Sequence, residues 1–115
     1  PTIEHAFQAA KTFNLEERKK VREAPSPAIA KRLGRRVTLR PDWETVKYEI
    51  MLELLRQKFS EPVLRQKLMD TDNAELIEGN TWGDRSWGCV QKNGKWVGKN
   101  NLGKLLMKVR AEFIV

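Results

Sequence analysis

Three of the chain's four tryptophans, Trp82, Trp87 and Trp96, fall within one short stretch, spaced by Gly83, Asp84, Gly88 and Gly94. Glycine permits backbone conformations closed to other residues and lets a ligand approach the main chain, and a flat indole beside a carboxylate suits a polar substrate that carries a ring. A tight loop whose tryptophans plug a small core has the same composition. Glu78 lies six residues before Asp84 across a turn-rich loop, so both carboxylates can reach one cleft beside Trp82 or Trp87. Two acids next to a ring-binding surface fit glycosidic chemistry. One stabilises the oxocarbenium-like sugar carbon while the other activates water or handles the leaving group's proton. Acids in loops also cap turns, which is the competing reading.

A second group is the run Gly98, Lys99, Asn100, Asn101, Leu102, Gly103, which places small residues and side-chain amides where a helix is expected to begin. Free backbone N–H groups at such a start, helped by Lys99 and Lys104, favour an anion such as a sugar phosphate. The alternative is an ordinary Asn cap, with Gly103 allowing close packing. Glu4 and Lys11 stand two helical turns apart, about 10 Å along the axis. That is too far for a direct pair, yet both can face one ligand. His5, the chain's one histidine, is expected to satisfy a local hydrogen bond and not to serve as a base. Met51, Met69 and Met107 read as core filler.

The elements that must position these residues follow from caps and periodicity. Thr2 caps a first helix whose Ile3, Ala6, Phe7 and Ala10 form one stripe. Asn14 with Glu17 starts a short basic helix that Pro25 and Pro27 stop, and Ser26 caps the next, with Pro27 at its first position and Gly34 ending it. Asp42 is expected to cap the longest helix, spanning about residues 43 to 59, with Trp43, Val46, Ile50, Leu54 and Leu55 on its apolar face. Ser60 and Pro62 restart a short helix, and residues 70–73 make a turn. Leu76 and Ile77 read as a short buried strand that delivers Glu78 to the tryptophan loop. Residues 89–97 read as a hairpin around Asn93-Gly94, and a final helix starts near Asn100 or Asn101. The sum is one α+β, mostly α-helical domain over residues 1–115, with about six helices, a short strand and a small β-hairpin.

Composition excludes several classes. A single cysteine, Cys89, allows no internal disulfide, and with one histidine no structural metal or cofactor is expected. No apolar run approaches the roughly 20 residues of a membrane span, so a cytoplasmic protein without a membrane partner is expected. The net charge of +7 is regional: residues 18–40 hold nine Lys/Arg (Arg18, Lys19, Lys20, Arg22, Lys31, Arg32, Arg35, Arg36, Arg40) against Glu23 alone. Such a cluster attracts phosphate or nucleic acid, or is a solvated charged face. Oligomeric state is not legible.

Seven fragments occur in order along the whole chain: Pro1-Thr2-x-Glu4-His5-x-Phe7-Gln8-Ala9-x-Lys11, Ala30-Lys31-x-x-Gly34, Trp43-Glu44-x-Val46-Lys47, Lys58-Phe59, Leu76-Ile77-Glu78, Asp84-x-x-Trp87-Gly88, and Gly98-x-Asn100-x-Leu102-Gly103-x-Leu105-Leu106-Met107-x-x-Arg110. In that order they closely resemble the YbiA-like, or NADAR, family. The resemblance implies that family's fold and metal-independent hydrolysis of an N-glycosidic bond between ribose and a nitrogenous group. The substrate it implies is a small phosphorylated ribosylamine intermediate of riboflavin synthesis. A related branch acts on ADP-ribosyl-guanine, including in DNA. The positions carried over are Glu4, Glu78 and Asp84 as catalytic carboxylates, with Lys11, Trp87, Gly98, Asn100 and Gly103 as substrate-binding residues. In this reading Glu78 and Asp84 activate water and stabilise the cation, Trp87 stacks on the ring, and Lys11 with the start of the last helix holds phosphate. Family members carry a further N-terminal segment before the Thr-x-Glu-His motif, where this chain begins, so the domain is expected to lack it. The rival class is a non-catalytic, basic nucleic-acid-binding module built on residues 18–40.

Overall fold

Four of the helix starts among the described residues are set by side chains within three residues of them. In the computed structural model, which describes residues 2–114, Thr2 precedes α1 (Ile3–Ala9) and its hydroxyl accepts the His5 N–H at 3.3 Å. The His5 ring closes the box by accepting the Thr2 N–H at Nδ1, 3.1 Å, and donates from Nε2 to the Ala24 carbonyl at 2.9 Å. The expected local role of the histidine is thus observed, together with a longer-range bond. Asn14 caps α2 (Leu15–Arg22) through the Glu17 N–H. Ser26 caps α3 (Pro27–Gly34), which opens on Pro27.

The chain divides into two compact units, Pro1–Leu54 and Leu55–Val115. In the first, α1, α2 and α3 meet through the buried small residues Ala9, Val21 and Ala30, with Ala24, Leu33 and Val37 packed around them. Side chains this small let helix backbones approach closely, and every methyl is lost from water. Phe7 and Trp43 add a tilted aromatic pair with centroids 5.0 Å apart. The Glu17 carboxylate accepts from the Thr12 hydroxyl and the Thr38 N–H, fastening α2 to the chain after α3.

The structure redirects two expected helix signals in this unit. Asp42 lies before α4 (Trp43–Lys58) and its carbonyl accepts the Thr45 and Val46 N–H groups, but its carboxylate is taken by Arg40, at 2.6 and 2.9 Å. A bidentate guanidinium is a stronger partner than a backbone N–H. Gly34 closes α3 without a left-handed turn. Its glycine is required by packing: a Cβ there would stand 2.0 Å from Oε1 of Gln8.

The second unit contains α5 (Pro62–Met69), the hairpin β1 (Val90–Lys92) and β2 (Lys95–Val97), and α6 (Asn101–Glu112). Glu61, and not Ser60, caps α5 by accepting the Val63 and Leu64 N–H groups. The two strands pair antiparallel, Val90 opposite Val97, around Asn93 and Gly94 with φ of 53° and 76°. Positive φ at both positions is what a two-residue turn matching the strand twist demands. Leu55, Leu68, Cys89 and Val109 are buried. Arg110, also buried, donates to the Thr71 hydroxyl at 2.8 Å. Arg56 clasps the Glu112 carboxylate at 2.9 and 2.7 Å. Six helices and one hairpin among the described residues make this the expected mostly helical α+β fold. No helix among them is long and apolar enough to cross a membrane.

The short strand expected at Leu76 and Ile77 is absent. Only Gly79 bridges Cys89, in parallel sense, and Ile77 is exposed. The reason lies in what pairs with this segment, a side chain instead of a neighbouring strand.

Candidate functional site

Residues 76–78 are held by Asn100. Its Oδ1 accepts the Glu78 N–H at 2.9 Å and its Nδ2 donates to the Leu76 carbonyl at 2.8 Å. One buried amide therefore does for this segment what the peptide of an adjoining strand would do. To reach it, Asn100 adopts a left-handed conformation, φ 55° and ψ 40°, which asparagine tolerates better than most residues. It makes no side-chain cap to α6. Neither sequence reading of Asn100, as phosphate ligand or as ordinary cap, describes its bonding.

The loop that follows is tied across itself. Asn80 accepts the Asp84 N–H at 3.0 Å and donates to the Asp84 and Cys89 carbonyls at 2.8 and 3.3 Å. Asp84 in turn accepts the Ser86 and Trp87 N–H groups, both at 2.9 Å, on the single oxygen Oδ1. This is the turn-capping geometry of aspartate, and these bonds leave the second carboxylate oxygen uncommitted. Cys89 donates to the Glu78 carbonyl at 2.8 Å, and Asn80 to the Cys89 carbonyl at 3.0 Å. Glu78 and Asp84 thus stand on one braced loop, Glu78 exposed and Asp84 half-buried. Trp87 is half-buried, whereas Trp82 is 70% and Trp96 46% exposed. The exposure of Trp82 and Trp96 argues against the reading of a core plug.

Trp96 lies over Gly79 and lines a cavity of about 510 Å³ with Asn80, Thr81, Val90 and Gln91. Asn80, Thr81 and Gln91 were not singled out from sequence. A polar residue in a turn-rich loop carries no periodic signal, and only the chain's return through the hairpin places Gln91 beside residues 79–81.

The start of α6 corrects a further expectation. Lys99, Asn100, Asn101 and Leu102 donate their N–H groups to the carbonyls of Arg85, Gly88, Ser86 and Trp87, at 2.7, 3.3, 3.1 and 2.8 Å. The donors expected to face a phosphate are spent on the tryptophan loop. The glycines serve the same closure: a Cβ on Gly98, whose φ is 147°, would fall 2.4 Å from the Gly88 carbonyl oxygen, and one on Gly103 would fall 2.3 Å from that of Leu76. Gly98, Asn100 and Gly103 build the floor under Glu78 and Trp87.

Glu4 and Lys11 belong to the first unit. Gln8 donates to the Glu4 carboxylate at 3.0 Å, and its own Oε1, buried against Gly34, is the one buried side-chain polar atom without a partner among the described residues. Lys11 is half-buried. Burial pushes its ammonium below the usual lysine range, the Glu4 carboxylate opposes this, and Arg35 and Lys31 push it further down. Among the described residues no three His, Cys, Asp or Glu side chains are grouped to hold a metal ion.

These sites stand on a chain with clear relatives. The N-glycosidase YbiA of Escherichia coli is 41% identical over 118 residues, covering 100% of this chain and 71% of that protein. The chloroplastic riboflavin biosynthesis protein PYRR of Zea mays is 32% identical over 127 residues, 99% of this chain and 20% of that protein. The solved NMR structure of E. coli YbiA superposes with a TM-score of 0.83 at 42% identity, over 97% of this chain and 66% of the other. This chain therefore spans about two thirds of the length of the solved relative. The NADAR domain profile matches residues 1–114, and with these likenesses in sequence and structure the chain belongs to the NADAR domain family.

Proposed function

We propose that the protein is an N-glycosidase that cleaves the bond between ribose and nitrogen in a small phosphorylated ribosylamine, an intermediate of riboflavin synthesis. The observation that carries this reading is the pair of carboxylates, Glu78 and Asp84, on one cross-tied loop with Trp87 and the Trp96 cavity. The naming of the E. coli relative as an N-glycosidase and of the maize relative as a riboflavin biosynthesis protein supports it.

In the proposed reaction the anomeric carbon–nitrogen bond breaks, its electron pair leaves with nitrogen, and the ribosyl carbon becomes cationic. The free oxygen of Asp84 stabilises that charge. Glu78 accepts a proton as water attacks the carbon, and the leaving nitrogen takes up a proton in exchange. Trp87 offers a face to the departing ring. Glu4, fixed by Gln8, is the third carboxylate assigned to catalysis, and Lys11 interacts with the phosphate.

Glu78→Gln and Asp84→Asn test the mechanism by release of free ribose phosphate. Each is expected to lower kcat by about 100-fold or more. Asp84→Asn retains an oxygen for the Ser86 and Trp87 N–H groups, so its loss reports charge more than loop collapse. Near-normal turnover in both variants removes the carboxylate mechanism. Offering ribosylaminopyrimidine phosphate, ADP-ribosyl-guanine and NAD separately, with products read by mass spectrometry, identifies the substrate branch. Binding of DNA that falls steeply with salt, without any product, would instead indicate a non-catalytic basic module.

A further inference from the structure

We infer that the cavity between residues 79–81 and the hairpin receives the uncharged nitrogen heterocycle that leaves the ribose, with Trp96 stacking on the ring and Gln91 and Thr81 reading its edge. This rests on the reading above that the substrate is an N-riboside, and it assigns these three side chains the choice of leaving group.

The cavity is built from one cross-strand pair and one glycine contact, both within the unit Leu55–Val115. Trp96 stands directly opposite Gln91 across the hairpin, and side chains opposite one another in an antiparallel pair share a face. The edge of the indole rests on Gly79, where a Cβ would stand 2.6 Å from its Cη2 and 2.9 Å from its Cζ3. A side chain at residue 79 would evict the ring, so glycine keeps the indole against the backbone of residues 79–81. The resulting volume of about 510 Å³ falls within the roughly 300–1,000 Å³ of small-molecule sites. Gly79 follows Glu78 in the chain, and Asn80 is bonded to both the N–H and the carbonyl of Asp84, at 3.0 and 2.8 Å. The cavity therefore borders the loop that carries both carboxylates.

The lining selects the class of ligand. None of the residues that form it is charged, so it offers a phosphate or a carboxylate no counterion. The Asn80 amide is engaged with the Asp84 and Cys89 peptides and serves as wall. The Gln91 amide and the Thr81 hydroxyl, by contrast, have no hydrogen-bond partner among the described residues, and Trp96, 46% exposed, has neither a ring contact nor a hydrogen bond from its indole there. An amide and a hydroxyl each donate and accept. Beside an indole face they match a planar ring whose edge carries both kinds of group, whereas a hydrocarbon ring would leave them unanswered. Trp87 keeps its place at the reacting bond, and Trp96 with Gln91 meets the part of the ring remote from it.

The test uses the full chain. Diaminouracil and, separately, toluene are titrated while the Trp96 Nε1–H, the Gln91 side-chain NH2 and the amides of residues 79–81 are followed by NMR. Saturable shifts confined to these groups are expected with diaminouracil, which should bind more tightly than toluene. In parallel, kcat and KM are measured for ribosylaminopyrimidine phosphate. Trp96→Ala is expected to raise KM about tenfold or more and Gln91→Leu about fivefold, with kcat within about twofold of the parent, and Kd for diaminouracil should rise in step. Trp96→Phe keeps a ring and should recover most of the loss. Lys92→Gln, on the same strand but outside the lining, should keep the parental KM. Unshifted Trp96 and Gln91 signals, toluene binding as tightly as diaminouracil, or KM and Kd within about twofold of the parent in both Trp96→Ala and Gln91→Leu would overturn the assignment. If diaminouracil saturates these groups while no riboside is hydrolysed, the ring site stands and the proposed reaction falls.

Discussion

Replacing Asn100 by alanine should loosen the segment that carries Glu78 more than any local view of a helix start suggests. The substitution removes two hydrogen bonds, to the Glu78 N–H at 2.9 Å and the Leu76 carbonyl at 2.8 Å. Each backbone group left without a partner in a partly buried place costs about 1–2 kcal/mol, toward the lower end of the range for buried groups. Alanine at φ 55° adds about 1 kcal/mol of backbone strain that asparagine tolerates. The expected loss is therefore about 3–5 kcal/mol, read as a shift in the urea midpoint at unchanged slope. Hydrogen exchange locates the effect, because the Glu78 amide should lose its protection together with its acceptor. Asn100→Gly should recover about 1 kcal/mol, the strain, and none of the bonding. Asn100→Asp keeps an acceptor for Glu78 but sets an oxygen against the Leu76 carbonyl, so it should fall between the parent and alanine. If Asn100→Ala costs under about 1 kcal/mol and the Glu78 amide exchanges as slowly as in the parent, the side chain is not the segment's partner and the reasoning fails.

Gly88→Ala would set a Cβ 2.3 Å from the Glu78 carbonyl oxygen and should cost about 2–4 kcal/mol in a thermal melt, whereas Gly83→Ala meets open space at φ 87° and should cost about 1. Gly34→Ala must displace the buried Gln8 amide, and the Gln8 side-chain NH2 signals should move from their parental positions in an NMR spectrum, since Gln8 can no longer donate to Glu4. At low pH, Asp42, Glu61 and Glu112 are held below their ordinary carboxyl values by Arg40, by the α5 N–H groups and by Arg56 respectively. A depressed folded pKa gives stability that is present above the ordinary value and lost as pH falls through the folded one. Urea midpoints should therefore decline below about pH 4, and less steeply in Glu112→Gln than in the parent. Thr2→Ala should cost about 1 kcal/mol through loss of the capping box, checked by the same denaturation.

The amino-acid sequence by itself determined what depends on neighbours a few residues away. Thr2, Asn14 and Ser26 cap helices because each oxygen reaches an N–H three positions on, and Asn93-Gly94 turns the hairpin because both residues accept positive φ. The order of helices and the carboxylate-bearing tryptophan loop were legible for the same reason. Tertiary structure decided which of several available partners each polar group took. Asp42 had a helix start beside it and bonded Arg40, while Asn100 stood at the head of α6 and turned back 22 to 24 residues to Glu78 and Leu76. Gly34, Gly98 and Gly103 looked like helix ends or phosphate cradles, yet they are small because another part of the chain presses against them. Local hydrogen bonds close short loops at little entropic cost, so their signals lie in adjacent residues. Bonds across 20 or more residues form only once packing has brought their partners together, and no spacing along the chain announces them.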